Sequence, residues 1–474
     1  MVSPPLQDGQ AELPTPNSTL SYWLLDPSRK LLGHRTTEGL PSTADVVIIG
    51  SGITGTFAAR QLVEGGRGVV MLDAREACWG ATGRNGGHCQ PGIWDSVPEV
   101  ARFELATFNL IKDLVAEHQI PCDWQVVGGV HAIFSQEVLG AARKQLERLR
   151  RHPDLGHEAV LIQDRAELAA RHVPEALAAV YQPNAAKCWP YKLVAWLLER
   201  LIGENDAAAF NLQTNTPVEH LERRGSRWSV HTRRGRMLAQ DVMLATNGYT
   251  SRLLPKMTEL ILPVRGQVCA LETPRGGTQL PHSYVWMKGA DHQYLIHRGP
   301  EDSQPDNGGE ALDSCLILGG ERLAVPDGEE GISRDDELNP VLSRALRAGL
   351  EHVVKLLPGN EPEIKALPAA YEWTGIMGYS RDWSPWVGRV PATLMGDVDA
   401  QGGAGGLWIS AGYTGHGMPV AARCGIAVAD MILGRAGGVE VPEPWRLSDD
   451  RVERARGGRF PNTIEELLAM LPAE

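Results

Sequence analysis

The sequence predicts an α/β protein with two structural units, and three observations support this fold class. The chain of 474 residues is too long for a single hydrophobic core. Residues 45–49 form a short, β-branched apolar run that is followed by a glycine turn, a helical pattern and a second apolar run at residues 69–72. Strand, turn, helix and strand within about 30 residues are typical of a βαβ unit. Short strand patterns later in the chain predict a second, α+β unit with a mostly antiparallel sheet.

The remaining elements are predicted from periodicity, in chain order. Residues 53–64 place Ala58, Ala59 and Leu62 on one helical face. Further helical patterns cover residues 96–120, 136–172, a segment beginning at Pro190, 341–357 and 420–433. Strand patterns cover residues 126–127, 130–134, 218–221, 228–232, 242–245, 267–271, 293–297, 315–318 and 407–411. Residues 299–313 have loop composition, and residues 1–43 predict an extended arm that packs on the body at Tyr22–Leu25.

Composition excludes several classes of protein. The net charge of −12 argues against a general affinity for nucleic acid or anionic lipid. No apolar run approaches the roughly 20 residues of a membrane-spanning helix. The seven cysteines are scattered without a C-x-x-C pair, so neither a disulfide framework nor a metal site is indicated. Residues 1–20 lack the features of a signal peptide and the C-terminus is not a peroxisomal tripeptide, so we expect a cytoplasmic protein.

Glycine is abundant, with 52 residues, and the first cluster directly follows the first predicted strand. Gly50-Ser-Gly52-Ile-Thr-Gly55 has the G-x-G-x-x-G spacing in which the glycines permit a tight turn, close approach of a pyrophosphate and close helix–strand packing. Asp73 ends the second strand, where a carboxylate can accept a hydrogen bond from a ribose hydroxyl. The motif predicts a Rossmann-like dinucleotide-binding unit. The alternative is a glycine-rich turn without a ligand.

Two further clusters have similar chemistry. Residues 80–88 (GATGRNGGH) predict a loop whose backbone can lie against a flat or anionic ligand, and the alternative is a flexible surface loop. Near the other end of the chain, residues 409–419 (ISAGYTGHGMP) turn from a strand toward a helix, with Pro419 suited to the first helical turn. A helix N-terminus can stabilise negative charge on a bound ring. His416, between two glycines at this helix start, is a candidate functional residue, although a histidine in a turn is often only polar surface.

Together these segments resemble a known family. GSGITG, GATGRNGGH, residues 263–267 (PVRGQ) and GYTGHG are similar to the D-amino-acid-oxidase-like family of FAD-dependent oxidoreductases, of the glycine oxidase, sarcosine oxidase and γ-glutamylputrescine oxidase type. Residues 245–248 (ATNG) resemble the strand end beside the adenine half of FAD. Residues 373–382 (WTGIMGYSRD), followed by Pro385 and Gly388, resemble the late flavin-site segment. The resemblance covers about residues 43–435.

The resemblance implies FAD as cofactor and a discontinuous FAD-binding domain. That domain is predicted at residues 44–95, 181–262 and 371–435, with a substrate-binding domain at 96–180 and 263–370, an N-terminal arm at 1–43 and a C-terminal tail at 436–474. The implied cofactor-binding residues are Gly50, Ser51, Gly52, Ile53, Thr54, Gly55, Asp73, Ala74, Arg75, Gly80, Ala81, Thr82, Arg84, Asn85, Gly86, Gly87, Val218, Ala245, Thr246, Asn247, Gly248, Gly378, Gly412, Thr414, Gly415, His416, Gly417 and Met418.

The resemblance also implies oxidation of a C–N bond in an amine or amino-acid-derived small molecule. A hydride passes from the carbon beside nitrogen to flavin N5, an imine results, and oxygen or another acceptor takes the electrons. Members with covalent flavin carry a cysteine in the late segment, and residues 373–382 contain none, so we expect non-covalent FAD. Members specific for amino acids carry an arginine where this chain has Ile376 and Met377, which favours a larger amine or a specialised metabolite over a simple α-amino acid.

The residues in contact with substrate are predicted less directly. The candidates for catalysis are His416, Trp373, His292 and Tyr294, and strand alternation places His292 and Tyr294 on one face. Other candidates for the substrate wall are Tyr284, Trp286, His297, Trp94 and Trp383, for which ordinary aromatic packing is the alternative. Two other functions stay open at this point: a nicotinamide-dependent dehydrogenase that uses the same βαβ unit, and a flavin-binding protein without turnover.

Overall fold

A computed structural model describes residues 6–302, 314–359, 364–395 and 405–472. The strands in these ranges are β1 (Thr43–Ile49), β2 (Val69–Leu72), β3 (His88–Cys89), β4 (Gln125–Val126), β5 (Gly129–Ile133), β6 (Val160–Ile162), β7 (Ala178–Gln182), β8 (Ala186–Lys187), β9 (Phe210–Gln213), β10 (Val218–Arg224), β11 (Arg227–Thr232), β12 (Gly235–Leu244), β13 (Ile261–Glu272), β14 (Ser283–Lys288), β15 (Asp291–Arg298), β16 (Cys315–Gly319), β17 (Ala369–Ser380), β18 (Trp386–Arg389) and β19 (Leu407–Ala411). The α-helices are α1 (Ile53–Glu64), α2 (Pro98–His118), α3 (Gln136–Leu149), α4 (Arg165–Ala170), α5 (Pro190–Glu204), α6 (Thr250–Leu253), α7 (Pro340–Ala348), α8 (Ala392–Met395), α9 (Ala421–Leu433), α10 (Asp449–Ala455) and α11 (Ile464–Ala469).

The first large sheet has the order β10-β11-β12-β1-β2-β9, and β19 pairs with both β12 and β18. Strands β9, β2, β1, β12 and β19 run parallel to their neighbours in this group. The whole of β2 is buried, which explains why it is a continuous apolar run rather than an alternating one. This parallel centre is the predicted Rossmann-like unit.

The second large sheet has the order β17-β13-β16-β15-β14-β5-β7-β6. Its strands pair antiparallel except for β14 and β5, which are parallel. The prediction of an α/β protein with a mostly antiparallel second sheet is therefore confirmed. A small third sheet has the order β3-β8-β4, and its strands fall within residues 88–187. The predicted domain limits stay a prediction.

Helices α1 and α9 pack closely, although more than 350 residues separate them in sequence. A Cβ atom on Gly425 of α9 would lie 2.3 Å from the backbone oxygen of Thr54 in α1, so only glycine fits at this crossing. The Thr54 hydroxyl is also 2.9 Å from the Tyr413 hydroxyl, which in turn is 2.8 Å from the hydroxyl of Ser410. These contacts bring the starts of the two helices together.

The N-terminal arm packs on the body as predicted. Tyr22 and Trp23 are fully buried. The Trp23 indole nitrogen donates to the backbone oxygen of Asn85 at 2.6 Å, and the Trp189 indole donates to the backbone oxygen of Trp23 at 2.8 Å. The ring of Trp23 also occupies the space that a side chain at Gly87 would need. The arm is thus fastened directly to the second glycine loop.

Three predicted helices were too long or misplaced. The pattern at 136–172 is divided into α3, β6 and α4, because residues 160–162 pair with β7 instead of continuing the helix. The pattern at 341–357 ends at Ala348, and the apolar residues beyond it pack on the same core from turns. Helix α9 begins at Ala421, so Pro419 precedes the first turn rather than lying in it. Of the predicted loop at 299–313, residues 303–313 lie outside the described residues.

Candidate active site

A single cavity of about 740 Å³ is lined by residues of both large sheets. It collects most of the predicted cofactor residues, namely Gly50, Ser51, Gly52, Ile53, Thr54, Asp73, Ala74, Arg75, Gly80, Ala81, Thr82, Arg84, Asn85, Gly86, Val218, Ala245, Thr246, Asn247, Thr414, Gly415, His416, Gly417 and Met418. The three glycine clusters, distant in sequence, therefore meet at one place.

The five other predicted cofactor residues, Gly55, Gly87, Gly248, Gly378 and Gly412, do not line the cavity but lie behind it. A Cβ atom would lie 2.0 Å from the Gly50 oxygen at Gly55, 2.5 Å from the Met377 oxygen at Gly248, and 2.6 Å from the Asn247 side-chain oxygen at Gly378. These glycines permit close packing against neighbouring backbone and side-chain atoms. The sequence signal was the same for the glycines that line the cavity and for those that do not.

The first glycine turn has the form that a dinucleotide pyrophosphate requires. Gly50 has a φ of +108°, and a Cβ atom there would lie 2.5 Å from the Ala245 oxygen. A Cβ atom at Gly52 would lie 3.1 Å from the Thr82 hydroxyl oxygen. The turn leads directly into α1, whose N-terminal N–H groups and dipole favour an anion.

Asp73 is fixed at the end of β2 by three donors. One of its oxygens accepts from the Ser51 backbone nitrogen at 2.9 Å and from the Ser51 hydroxyl, and the other accepts from the Arg75 backbone nitrogen at 3.0 Å. The carboxylate lines the cavity beside the glycine turn. Turn, helix start and carboxylate together fit the adenosine and pyrophosphate half of a dinucleotide.

Arg75 and Arg84 line the cavity but their guanidinium groups are engaged by protein. Arg75 pairs with the buried carboxylate of Asp335 at 2.9 Å. Arg84 donates to the Thr374 backbone oxygen at 2.5 Å and to the Ser18 hydroxyl at 3.1 Å. Their side chains therefore hold the arm and β17 against the loop, and the positive end of α1 is the better candidate to balance phosphate charge.

His416, at the third glycine cluster, forms the clearest titratable pair in the cavity. Its Nε2 lies 2.7 Å from a carboxylate oxygen of Glu104, and the same oxygen accepts from the Gly92 backbone nitrogen at 2.7 Å. The His416 side chain is 46% accessible and lines the cavity, whereas Glu104 is only 3% exposed. Burial disfavours the charged imidazolium, but the Glu104 carboxylate outweighs it and raises the pKa of His416 above its usual value.

The pKa values of the other cavity histidines are lowered, in contrast to that of His416. Burial lowers the pKa of both His88 and His131 to about 4, and it also lowers the pKa of His292. All three line the cavity and are neutral near pH 7. The Trp94 indole donates to His131 Nδ1 at 3.2 Å, which fixes the orientation of that ring. The cavity thus has one imidazole whose protonated form is favoured and three whose neutral form is favoured.

The structure brings some predicted substrate residues to the cavity and leaves others out. His292 and Tyr294 both line it from β15, and Trp383 lines it as well. Tyr294 packs where side chains at Gly86 and Gly319 would stand, and its ring centre is 5.0 Å from that of His88. Tyr284, Trp286, His297, Trp94 and Trp373 do not line the cavity.

Trp373, nominated from the sequence as catalytic, has a different position. Its side chain is fully buried in the core, and its indole nitrogen donates to the Arg84 backbone oxygen at 2.7 Å. It contacts the back of the second glycine loop and not the cavity. The neighbouring Ile376 and Met377 line the cavity instead.

Sequence reasoning missed several residues of the cavity, including Glu104, His131, Gln90 and Asp95. A signal was available for Glu104, because it falls on the buried face of α2 at helical spacing from Ala101 and Phe108. Sequence reasoning also missed Leu13 and Pro14 in the arm, and Leu467, Leu468 and residues 470–472 near the C-terminus.

The part of the chain that the structure describes has no helix long and apolar enough to cross a membrane. Within the same ranges, no group of three or more His, Cys, Asp or Glu side chains is arranged to hold a metal ion.

Comparisons with known proteins agree with this geometry. The chain is 24% identical to γ-glutamylputrescine oxidoreductase of Escherichia coli, over 83% of this chain and 84% of that protein. It is 23% identical to the probable oxidoreductase OrdL of Haemophilus influenzae, over 82% and 83% of the two chains. Among solved structures, glycine oxidase from Geobacillus kaustophilus shares the fold with a TM-score of 0.65 and 19% identity, covering 86% of this chain and 99% of that chain.

The family model described as FAD dependent oxidoreductase (DAO) matches residues 45–431, which is most of the chain. The expected resemblance is therefore confirmed, and with it FAD as the cofactor of an amine or amino acid oxidoreductase. The chain belongs to the DAO family of FAD-dependent oxidoreductases.

Proposed function

We propose that the protein oxidises a C–N bond of a small amine, with loss of hydride from the carbon beside nitrogen and formation of an imine. The observation that carries this proposal is the meeting of the three glycine clusters with His416 in one cavity whose wall also includes the neutral imidazoles of His88, His131 and His292. When bound, FAD supplies a two-electron acceptor for the hydride. The turn at Gly50–Gly52, the start of α1 and Asp73 would hold its adenosine and pyrophosphate half, and the cluster at Gly415–Met418 would lie at the ring.

The Glu104–His416 pair supports the redox step electrostatically. The Glu104 carboxylate beside His416 Nε2 raises the pKa of this imidazole, so the pair favours its protonated, positively charged form. Negative charge that develops on a ligand beside the His416 imidazole is stabilised by the positive charge of the imidazole and by the N-terminus of α9. His416 is therefore proposed as an electrostatic residue rather than as a general base.

The neutral imidazoles have a separate task. An amine must be uncharged at nitrogen for its lone pair to assist loss of hydride from the adjacent carbon. His88, His131 and His292 are uncharged acceptors on the cavity wall and do not stabilise an ammonium as a carboxylate would. Tyr294 closes this wall through its packing on Gly86. The wall thus favours the reactive form of the amine.

Two features of the late segment narrow the substrate. Ile376 and Met377 line the cavity at the positions where amino-acid-specific relatives are expected to carry an arginine, which supports a substrate other than a simple α-amino acid. Residues 373–382 contain no cysteine, which supports non-covalent FAD. The electron acceptor, oxygen or another oxidant, belongs to the same proposal.

The test is an anaerobic screen of amines against the purified protein, following bleaching of flavin absorption, and then peroxide formation after air is admitted. We expect a yellow protein that is bleached by an amine and not by NADH. Bleaching only by NADH, with a nicotinamide product, would favour the nicotinamide-dependent alternative. A protein that binds FAD but is bleached by no amine in a broad panel would be a flavin-binding protein without turnover.

A further inference from the structure

The loop between β3 and α2 brings a carboxylate without a hydrogen-bond partner to the cavity. Asp95 lines the cavity, and its Oδ1 is buried and accepts no hydrogen bond from the described residues. A Cβ atom built on Gly92 would lie 3.1 Å from this oxygen and 3.6 Å from the Oε2 of Glu104, so both carboxylates face one small region. Glu104 is already engaged by His416 and the Gly92 N–H, whereas Asp95 is not. Of these carboxylate oxygens, Asp95 Oδ1 is therefore the one without a hydrogen bond.

The other buried amide on this side of the cavity does not add an unpaired acceptor. Because the Trp94 indole donates to His131 Nδ1, the neutral ring carries its proton on Nε2, and the amide of Gln90 accepts this N–H through its oxygen. Leaving a buried acceptor unpaired costs about 1–3 kcal/mol, so a ligand that brings N–H donors to Asp95 Oδ1 is favoured. An ammonium offers three donors and no acceptor, which matches a carboxylate.

Two basic side chains lie near Asp95, and neither donates a hydrogen bond to its Oδ1. His416 interacts electrostatically with Asp95, but its Nε2 pairs with Glu104. Arg148 interacts electrostatically with Asp95, yet its Nη2 donates to the Ser96 backbone oxygen at 2.6 Å and its Nη1 has no partner among the described atoms. Arg148 does not line the cavity. It therefore lies behind the carboxylate and leaves Oδ1 available to a ligand.

The C-terminal tail encloses this end of the cavity with apolar groups. Leu467, Leu468 and residues 470–472 line it, and Leu468 packs with the cluster that contains Ile93 and Trp94, directly before Asp95. The Gln145 amide donates to the Pro472 backbone oxygen at 2.9 Å and fastens the tail to α3. An enclosed, apolar setting strengthens a charge pair and suits an aliphatic chain.

We infer that the substrate carries a second amine, protonated near pH 7 and joined by an aliphatic chain to the reacting amine, and that Asp95 binds this distal ammonium. Asp95 is unsuited to the reacting nitrogen, because a carboxylate stabilises an ammonium and hydride loss requires the free amine. The distal group stays charged throughout and has no such conflict. This inference rests on the proposed function and assigns its substrate class: diamines and related dications rather than monoamines or amino acids.

The test compares three ligands of matched chain length on the FAD-loaded protein: an α,ω-diamine, the n-alkylamine and the ω-amino acid. Anaerobic rapid mixing gives a dissociation constant from the dependence of the bleaching rate on concentration. We expect the diamine to bind about tenfold or more tightly than the monoamine, as for a hydrogen bond to a charged group, and the amino acid to bind most weakly. Equal affinities, or tightest binding of the amino acid, would overturn the inference.

Substitution assigns the effect to Asp95. Asp95→Asn should reduce the preference for diamine over monoamine to about two- to threefold, and Glu99→Gln, which removes an exposed carboxylate from the first turn of α2, should keep it. Flavin content and thermal midpoint show whether each variant folds. If Asp95→Asn does not fold, the affinities of the wild-type protein for the three ligands decide the inference. If no amine bleaches the flavin, the proposed function fails, while calorimetric titration with the same ligands still supports or refutes a cation site.

Discussion

Gly55→Ala is the substitution that most directly perturbs the cofactor cradle without touching its lining. The new Cβ would lie 2.0 Å from the Gly50 backbone oxygen and 3.2 Å from the Ile48 Cγ2. Because 3.0 Å is the shortest separation that real Cβ atoms show, the turn and α1 must separate by about 1 Å. The obstacle is backbone, so rotation of a side chain cannot relieve it.

The cost follows from two opposing effects. Overpacking of this kind costs typically about 1–3 kcal/mol, and a backbone obstacle places it near the upper end. Alanine in place of glycine within a helix returns up to about 1 kcal/mol. The net cost of Gly55→Ala is therefore about 2 kcal/mol. If this cost falls on the turn geometry that binds pyrophosphate, it corresponds to roughly 30-fold weaker binding of FAD.

The assay is titration of FAD into apoprotein, with a matched glycine as control. Gly140 lies inside α3 and a Cβ atom there would meet nothing within 4 Å, so Gly140→Ala should leave the FAD dissociation constant unchanged and stabilise the fold slightly. Wild-type affinity for FAD in a folded Gly55→Ala protein would refute the reasoning.

Three further outcomes are expected. Glu104→Gln keeps a hydrogen-bond acceptor but removes the charge that raises the pKa of His416. The limb of the pH–rate profile for flavin reduction that reports this imidazole should therefore move to lower pH. An unmoved profile would contradict the role of the pair. Burial lowers the pKa of His131 from 6.5 to about 4, so the unfolded chain binds its proton first and the free energy of unfolding should fall as pH drops from about 6.5 to about 4; urea denaturation should show a smaller fall in His131→Gln. Trp23→Ala removes a fully buried ring and its 2.6 Å hydrogen bond to the Asn85 backbone oxygen. We expect a loss of about 3–5 kcal/mol of stability and weaker binding of FAD. Loss of stability alone would show that the arm does not support the loop.

The parts of the fold that were predictable are those that local periodicity determines. The strand, turn, helix and strand from residue 45 to residue 72 were predicted nearly to the residue, because residues 46–49 and 69–72 are continuous buried apolar runs and the helix between them has glycine at both ends. The pattern at 341–357 misled because Leu350 and Val354 keep helical spacing while packing from turns on the core that α7 also contacts. Tertiary contacts, not local preference, decide such segments.

The candidate site also contains residues that local sequence patterns reveal and residues that only tertiary packing brings to the cavity. The glycine clusters were visible because their function imposes spacing on neighbouring residues. No motif marks Gln90 and Asp95, which lie in the segment between β3 and α2. Glu104 was indicated only by its place on the buried face of α2. Trp373 shows the converse, because its place in a recognisable segment suggested a catalytic role, whereas its indole holds the Arg84 backbone from within the core.

The central claim is that FAD bound by the three glycine clusters accepts hydride from the carbon beside an amine nitrogen. The most direct measurement is the anaerobic rate of flavin bleaching with an amine that carries deuterium on that carbon, compared with the unlabelled amine. The account predicts complete bleaching with a large primary isotope effect, present in the wild type and in Gly140→Ala. Bleaching at the same rate with both amines, or a flavin that no amine reduces, would contradict it.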